Sequence, residues 1–353
     1  RDAQESRGLG DVYKRQYFDL ENKEYVITKP DTPASWVNYL GSPEYGAIIS
    51  NNAAGYSFVK SGANGRITRF RFNSMMALPG RYIYIRDNDT SDYWSASWQP
   101  VGKPLDKYKS ECRHATAYTV ISSEYEKIAA ETTYYVPQGK TYEVWRTKIT
   151  NNDTKSRKLS VFGFTEFTNE DNYEQDQVNL QYSQFITSTV FETNRIRHII
   201  HGNLDWVKEG EEVDDKLAIS RFFALTGAPV DSYCGDKESF LGRYHGYHNP
   251  VGVENGKLSG EMCYNENGCG ALATQMLLKP GETKEIAFLV GMKEHEEAEA
   301  ICNRYADVAA QCETELKELM GYWHEKLEHF QVHTPSREFD TMINLSLIHI
   351  SEP

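Results

Sequence analysis

The sequence predicts a mainly β chain, a large antiparallel sandwich followed by a helical stretch. Three observations carry that prediction. Short β-runs broken by Gly, Pro, Asn and Asp fill positions 17 to about 290 without helical periods between them, and many strands without alternating helices mean antiparallel sheets. Aromatics reach 12% of the chain, with 23 Tyr, 15 Phe and 6 Trp, a load that suits pleated, half-buried surfaces. After Met292 the apolar spacing changes from the strand period to the helical one.

Taken in order, the clearest strand segments are 24–28, 66–72, 81–85, 118–122, 132–136, 141–149, 158–167, 185–191 and 284–290. Arg69-Phe70-Arg71-Phe72 alternates polar and apolar, as a strand with one wet face does. In Leu159-Ser160-Val161-Phe162-Gly163-Phe164 apolar residues fall on both faces, which fits a strand inside a sandwich. Asn151-Asn152-Asp153 and Lys279-Pro280-Gly281-Glu282 read as hairpin turns. Residues 293–312 and 313–330 read as two helices, the second with Leu316, Leu319, Met320, Trp323, Leu327 and Phe330 on one stripe. Pro335 and Ser336 then start a further helix over 338–344, with Phe339, Met342 and Ile343 on its apolar face.

The 353 residues are enough for about two domains and a sizeable core. Hydrophobic residues at 39% and charged residues at 25% describe a globular chain rather than a disordered one. No apolar run approaches the roughly 20 residues of a membrane-spanning helix. With 38 basic and 51 acidic residues the net charge is −13, which repels nucleic acid and anionic membrane surfaces but leaves a neutral carbohydrate unaffected. Six cysteines without CxxC spacing fit free thiols in a reducing cytoplasm rather than a disulfide framework. The first sixteen residues, RDAQESRGLGDVYKRQ, and the last nine, LSLIHISEP, resemble translated sequencing-adaptor segments, so the native chain is expected to run over 17–344.

Most short motifs fail on spacing. Gly139-Lys140-Thr141 has Tyr134 where a phosphate loop needs Gly, and it lies between strands. The run from Asp87 to Asp92 puts Asp92 and Trp98 where a calcium loop needs Gly and Glu, so it reads as a hairpin tip. His245 and His248 lack a third metal ligand nearby, and Cys263 and Cys269 flank a turn. No metal site and no catalytic residue is expected. The segment from Glu166 to Tyr182 gathers carboxylates, amides and two tyrosines after a buried strand. Such groups suit sugar hydroxyls, and equally a polar loop on an acidic protein. Trp94, Trp98 and Trp145 are open in the same way, as sugar platforms or as core.

Several strings near the start resemble the opening of cellobiose-type phosphorylases of glycoside hydrolase family 94. They are Tyr17-Phe18-Asp19, Glu24-Tyr25-Val26-Ile27-Thr28, Pro33-Ala34-Ser35-Trp36-Val37-Asn38-Tyr39-Leu40-Gly41 and Gly55-Tyr56-Ser57-Phe58. Arg66-Ile67-Thr68-Arg69-Phe70-Arg71-Phe72-Asn73, Gly80-Arg81-Tyr82-Ile83-Tyr84 and Trp98-Gln99-Pro100 continue the series. The resemblance implies a β-supersandwich over 17–292, a helical linker over 293–332, and the start of a truncated catalytic (α/α)6 barrel over 333–344, with 1–16 and 345–353 foreign to the native chain. It also implies inverting phosphorolysis of a β-glucoside, with phosphate as a substrate and no cofactor. The acid and the phosphate ligands would belong to the missing barrel.

One site element of the family falls in the sandwich. Laying Gln177-Val178-Asn179-Leu180-Gln181-Tyr182 on the family's Asn-Tyr-Gln-Arg-Asn string preserves Asn179 and Gln181 and puts Tyr182 where an Arg meets the acceptor sugar. Losing a guanidinium fork changes recognition, so a longer oligoglucoside, another linkage or a modified glucose are all open as substrate. The expectation is the N-terminal, sugar-bordering part of a cytoplasmic, homodimeric phosphorylase acting on a β-linked glucose disaccharide, inactive by itself. The alternatives are a stand-alone carbohydrate-binding sandwich, or part of a β-glycoside hydrolase.

Overall fold

The computed structural model describes residues 15–71, 78–201, 220–293, 295–329 and 331–346. Residues 1–14, Phe72, Phe330 and 347–353, which figure in the expectations above, lie outside the described residues, as does the Met342 side chain.

The strands begin with β1 (Gln16–Asp19), β2 (Glu24–Ile27), β3 (Val37–Ser42), β4 (Tyr45–Ser50), β5 (Gly55–Val59), β6 (Tyr82–Asp87) and β7 (Tyr93–Ser95). Next come β8 (Lys109–His114), β9 (Thr119–Tyr125), β10 (Ile128–Tyr135), β11 (Tyr142–Asn151) and β12 (Arg157–Glu166). After two short helices, α1 (Tyr173–Val178) and α2 (Leu180–Phe185), follow β13 (Thr187–Glu192), β14 (Arg195–Ile200), β15 (Ser220–Thr226) and β16 (Ser232–Asp236). The short helices α3 (Lys237–Leu241) and α4 (Val251–Glu254) precede β17 (Gly268–Leu278) and β18 (Thr283–Lys293). The chain then turns helical in α5 (His295–Arg304), α6 (Val308–Glu328) and α7 (Arg337–Ser346). Among the described residues, no helix is long and apolar enough to cross a membrane.

These strands form the antiparallel sandwich that the sequence predicts. A ten-stranded sheet runs β1-β2-β8-β9-β10-β11-β18-β15-β14-β13, and a five-stranded sheet runs β16-β17-β12-β6-β7. A small third sheet holds β3-β4-β5. The main core lies between the first two, where Trp145, Phe223 and Phe288 of the large sheet meet Ile83, Ile85, Leu159, Val161 and Leu272 of the smaller one. Gly163 on β12 is what lets them close, since a Cβ there would lie 2.3 Å from the Phe288 ring. The outer face of the large sheet buries Val144, Phe222 and Leu289 against Ile301 of α5, Tyr305 in the break that follows it, and Cys312 and Leu319 of α6. The outer face of the smaller sheet buries Tyr84, Phe162 and Phe164 against Phe240 and Val253 of α3 and α4. β12 is thus covered on both sides, as its continuous apolar pattern requires.

Three local expectations are corrected. Asn151-Asn152-Asp153 and 279–282 are corners between sheets, because β11 and β18 belong to the large sheet while β12 and β17 belong to the smaller one. Turn residues mark a reversal of the chain without saying which sheet receives it. The two corners lock through buried Asn151, whose side chain donates to the carbonyls of Lys155 at 2.8 Å and Leu278 at 3.0 Å. The helical break falls at 305–307 rather than after Cys312, because the Asp307 side chain caps α6 by accepting from the Ala310 amide at 3.1 Å. Segment 66–71 is no strand but a run of isolated bridges, Arg66 to Phe58, Thr68 to Phe167 and Arg71 to Leu78, and its arginines Arg66 and Arg69 are buried.

Other expectations stand. The 87–92 run is the β6–β7 hairpin tip, where the Asp87 carboxylate accepts from the Asp89 and Thr90 amides at 2.8 and 3.1 Å. All six cysteines are free and buried. Trp94 and Trp145 are core residues and not sugar platforms, while Trp98 is half-buried against the core with its indole donating to the Lys103 carbonyl at 2.8 Å.

Candidate functional site

The site grows from the end of β12. That strand buries both faces until Glu166, whose carboxylate is therefore carried into the interior. An isolated carboxylate there would be prohibitively costly, and three donors gather on it. Arg69 Nη1 donates at 3.1 Å and Lys237 Nζ at 3.2 Å, both to Oε1, while the Tyr247 hydroxyl donates to Oε2. Lys237 is positioned as the first residue of α3, which Asp236 caps by accepting from the Ser239 amide at 2.7 Å. Tyr247 is held by its carbonyl, which accepts from the Tyr84 hydroxyl at 2.7 Å. Burial opposes ionisation of Glu166, but the cations of Lys237 and Arg69 outweigh it and hold the carboxyl below its ordinary range. Burial and then the Glu166 charge push the Tyr247 phenol well above its usual value.

Past Glu166 the chain leaves the sheet through Phe167, which stacks on His198 with ring centroids 4.9 Å apart. His198 Nδ1 accepts from Arg221 Nη1 at 3.3 Å, so the ring is neutral with its proton on Nε2. Burial first, then the charges of Arg221 and Arg69, drive its pKa well below the ordinary histidine value. Arg221 also donates to Asp171 Oδ1 at 2.6 Å and to the Arg66 carbonyl at 3.0 Å. Glu170, half-buried beside Asp171, has its carboxyl raised by burial and by that neighbouring charge.

The connection then folds into α1 and α2. Asn172 caps α1 by accepting from the Gln175 amide at 2.9 Å, and its amide donates to Asn64 Oδ1 at 2.6 Å. Asp176 points inward, fully buried. Its Oδ1 accepts from Arg69 Nη2 and from the Asn169 amide, both at 2.7 Å, and its Oδ2 accepts from Arg69 Nε and Gln177 Nε2, both at 3.2 Å. Arg69 thus clamps Asp176 with a two-pronged fork and reaches Glu166 with its remaining nitrogen. Beside it the Arg66 guanidinium is sandwiched, 3.7 Å from the Tyr56 ring centroid and 4.4 Å from that of Tyr173, the first residue of α1. Segment 62–71 is therefore the bed on which the connection rests.

The residues that the sequence singled out sit on top of this bed. Asn179 joins the two helices, with its amide donating to the Gln175 carbonyl and its carbonyl accepting from the Ser183 amide, both at 3.0 Å. Gln181 and Tyr182 follow on the first turn of α2, and all three side chains are exposed, Tyr182 by 50%. They fall in one exposed stretch, referred to below as the rim, together with exposed Val178, Leu180 and Phe185. Sequence reading missed the support beneath: Arg66, Arg69, Arg221, Lys237 and Tyr247. The signal available was two arginines three apart in a stretch otherwise patterned as strand, and a lone Asp between amides. His245, considered as a metal ligand, donates from Nδ1 to the Asn249 carbonyl at 2.7 Å.

Comparison with known proteins gives the following. The profile of the family described as glycosyl hydrolase 94, supersandwich domain, matches residues 23–308. N,N'-diacetylchitobiose phosphorylase of Vibrio furnissii is 38% identical over 342 residues, covering 96% of this chain and 41% of the relative. The 3-O-beta-D-glucopyranosyl-beta-D-glucuronide phosphorylase of Paenibacillus borealis is 31% identical over 332 residues, covering 94% of this chain and 40% of the relative. The chain thus spans about two fifths of the length of these relatives. Among solved structures, a bacterial glucoamylase complexed with acarbose aligns with a TM-score of 0.51 at 8% identity, over 91% of this chain and 41% of that one, a likeness of fold alone.

Proposed function

The chain belongs to glycoside hydrolase family 94, whose supersandwich domain it carries, and from that premise we propose that it is the N-terminal part of an inverting disaccharide phosphorylase. The observation that carries this reading is the alignment of nearly the whole chain with disaccharide phosphorylases at 38% and 31% identity. In the proposed reaction a phosphate oxygen attacks C1 of a β-linked sugar from the face opposite the glycosidic bond. That bond breaks, the departing oxygen takes a proton from a carboxylic acid, and α-sugar 1-phosphate and a free acceptor sugar leave. The logic is that of an inverting glycosidase with phosphate in place of activated water. The acid and the phosphate ligands are assigned to a further, helical domain that α7 begins. No cofactor takes part; phosphate is a substrate.

Within this scheme the sandwich contributes Asn179, Gln181 and Tyr182 to the border of the acceptor-sugar subsite. The relatives at 38% identity act on N,N'-diacetylchitobiose, and Tyr182 in place of an arginine fits an acceptor that is not plain glucose. We therefore place an N-acetylated disaccharide ahead of cellobiose as substrate, in a cytoplasmic homodimer. The test is to recover the adjoining coding sequence, express the extended protein and supply phosphate with N,N'-diacetylchitobiose or cellobiose. Phosphate-dependent release of a sugar 1-phosphate is expected, faster with the N-acetylated substrate. Phosphate-independent hydrolysis, or no turnover of either disaccharide, would contradict the reading.

A further inference from the structure

Among the described residues, the helix pair α1–α2 buries no apolar side chain against the sandwich. Val178 and Phe185 are 78% and 68% exposed, Leu180 and Tyr182 are exposed as well, and the buried side chains of the pair are Asp176 and Ser183. Ser183 bonds only locally, donating to the Leu180 carbonyl at 3.2 Å. Asp176 is different. It lies one helical turn before Asn179 and ties α1 both to Arg69, more than a hundred residues away in sequence, and to the Asn169 amide where the chain leaves the sheet. All four hydrogen bonds it receives come from donors, so only a carboxylate satisfies the position. An asparagine would turn an N–H toward a guanidinium or an amide N–H, and the fork would open.

We infer that Asp176, acting through Arg69, is a positioning residue that fixes where Asn179, Gln181 and Tyr182 meet the acceptor sugar. The inference rests on the phosphorylase reading above, and it assigns to this buried pair control of acceptor binding rather than of bond cleavage. Because the helix pair buries no apolar side chain among the described residues, weakening the fork lets the rim shift relative to the sheet. A shift of this kind reduces the affinity for the sugar that the rim touches. It leaves untouched the groups that handle phosphate and the cleaved bond.

The experiment uses the extended enzyme in the synthetic direction, where acceptor sugar and sugar 1-phosphate are separate substrates. Asp176→Asn is expected to raise the acceptor KM by about tenfold or more, while kcat and the KM for sugar 1-phosphate stay within about twofold. Asp176→Glu, which keeps the carboxylate, should fall between the wild type and Asp176→Asn. Arg69→Lys, which keeps the charge and loses the fork, should give the same split at smaller amplitude, so the answer does not depend on one variant folding. An unchanged acceptor KM in both Asp176→Asn and Arg69→Lys overturns the inference, as does a parallel loss for both substrates. A wild-type enzyme without phosphate-dependent turnover overturns the phosphorylase reading itself, and that result is read before any variant is made.

Discussion

Two helical additions ride on the same sandwich and are held by opposite physics. α6 lies on the outer face of the ten-stranded sheet with Cys312 and Leu319 buried and Leu316, Met320 and Trp323 half-buried along one stripe. Polar ties supplement that stripe: the Glu315 carboxylate accepts from the Tyr135 and Tyr305 hydroxyls, both at 2.8 Å, and Glu313 accepts from Arg146 at 3.3 Å. The α1–α2 pair exposes its apolar side chains and is fastened by Asp176, by the Arg66 guanidinium under Tyr173, and by the Glu166 hub below. Apolar packing tolerates small shifts because it is non-directional. A charged fork is directional and fixes a geometry, at the cost that removing one partner strands the other in the interior. The difference teaches what each anchorage fixes: the long helix is held over a sheet by a surface, whereas the short pair is held at one point in one orientation.

That contrast can be broken at several points. The largest effect is expected at the hub, where Glu166→Gln leaves Arg69 and Lys237 without their shared counter-charge and should cost about 3–5 kcal/mol in urea unfolding of the 353-residue chain. A loss under about 1 kcal/mol would mean that the charges rearrange freely and that the hub is no anchor. Next comes Leu319→Ala on α6, which should cost about 2–4 kcal/mol through lost burial and a residual cavity.

The acid limb of stability should then separate the polar region from the apolar one. His198 is kept neutral in the fold, so the unfolded chain takes up a proton first and stability falls as pH drops below the ordinary value of 6.5. Glu166 has a depressed folded pKa, so its contribution is complete above the unfolded value of 4.5 and is lost as pH falls from there through the folded value. Two successive declines are expected in unfolding free energy against pH. The lower one should be reduced in Glu166→Gln, the remainder coming from the depressed carboxyls of Asp19, Asp87 and Asp153, and both should be unchanged in Leu319→Ala. Smaller still, Tyr305→Phe removes one of the two hydroxyls on Glu315 and should cost about 1 kcal/mol. Smallest is Phe185→Ser on the exposed rim, expected to change stability by no more than about 0.5 kcal/mol. A large loss there would show that the rim packs on something within this chain.

The same contrast decides what was legible in the sequence. The stripe on α6 is a local pattern with a fixed period, and Leu316, Leu319, Met320 and Trp323 announce it. The continuous apolar run of β12 likewise declares a strand buried on both faces. Corners between sheets were read as hairpins because 151–153 and 279–282 carry the same turn residues either way. The support of the rim was not legible, because Arg69 and Asp176 are 107 positions apart and neither pattern nor spacing links them. Worse, Arg69-Phe70-Arg71-Phe72 alternates like a strand with its arginines in water, while Arg69 is in fact the buried residue. Asn179, Gln181 and Tyr182 were reached through family resemblance alone, and the fold adds that all three are exposed.

Hydrogen exchange on the 353-residue chain tests the two kinds of anchorage most directly, with Asp176→Asn and Leu319→Ala measured side by side. The account predicts that Asp176→Asn speeds exchange in 173–186 and leaves 308–328 unchanged, whereas Leu319→Ala does the reverse. If 173–186 keeps its protection in Asp176→Asn, or if both variants loosen both regions alike, the buried carboxylate is not what holds the rim.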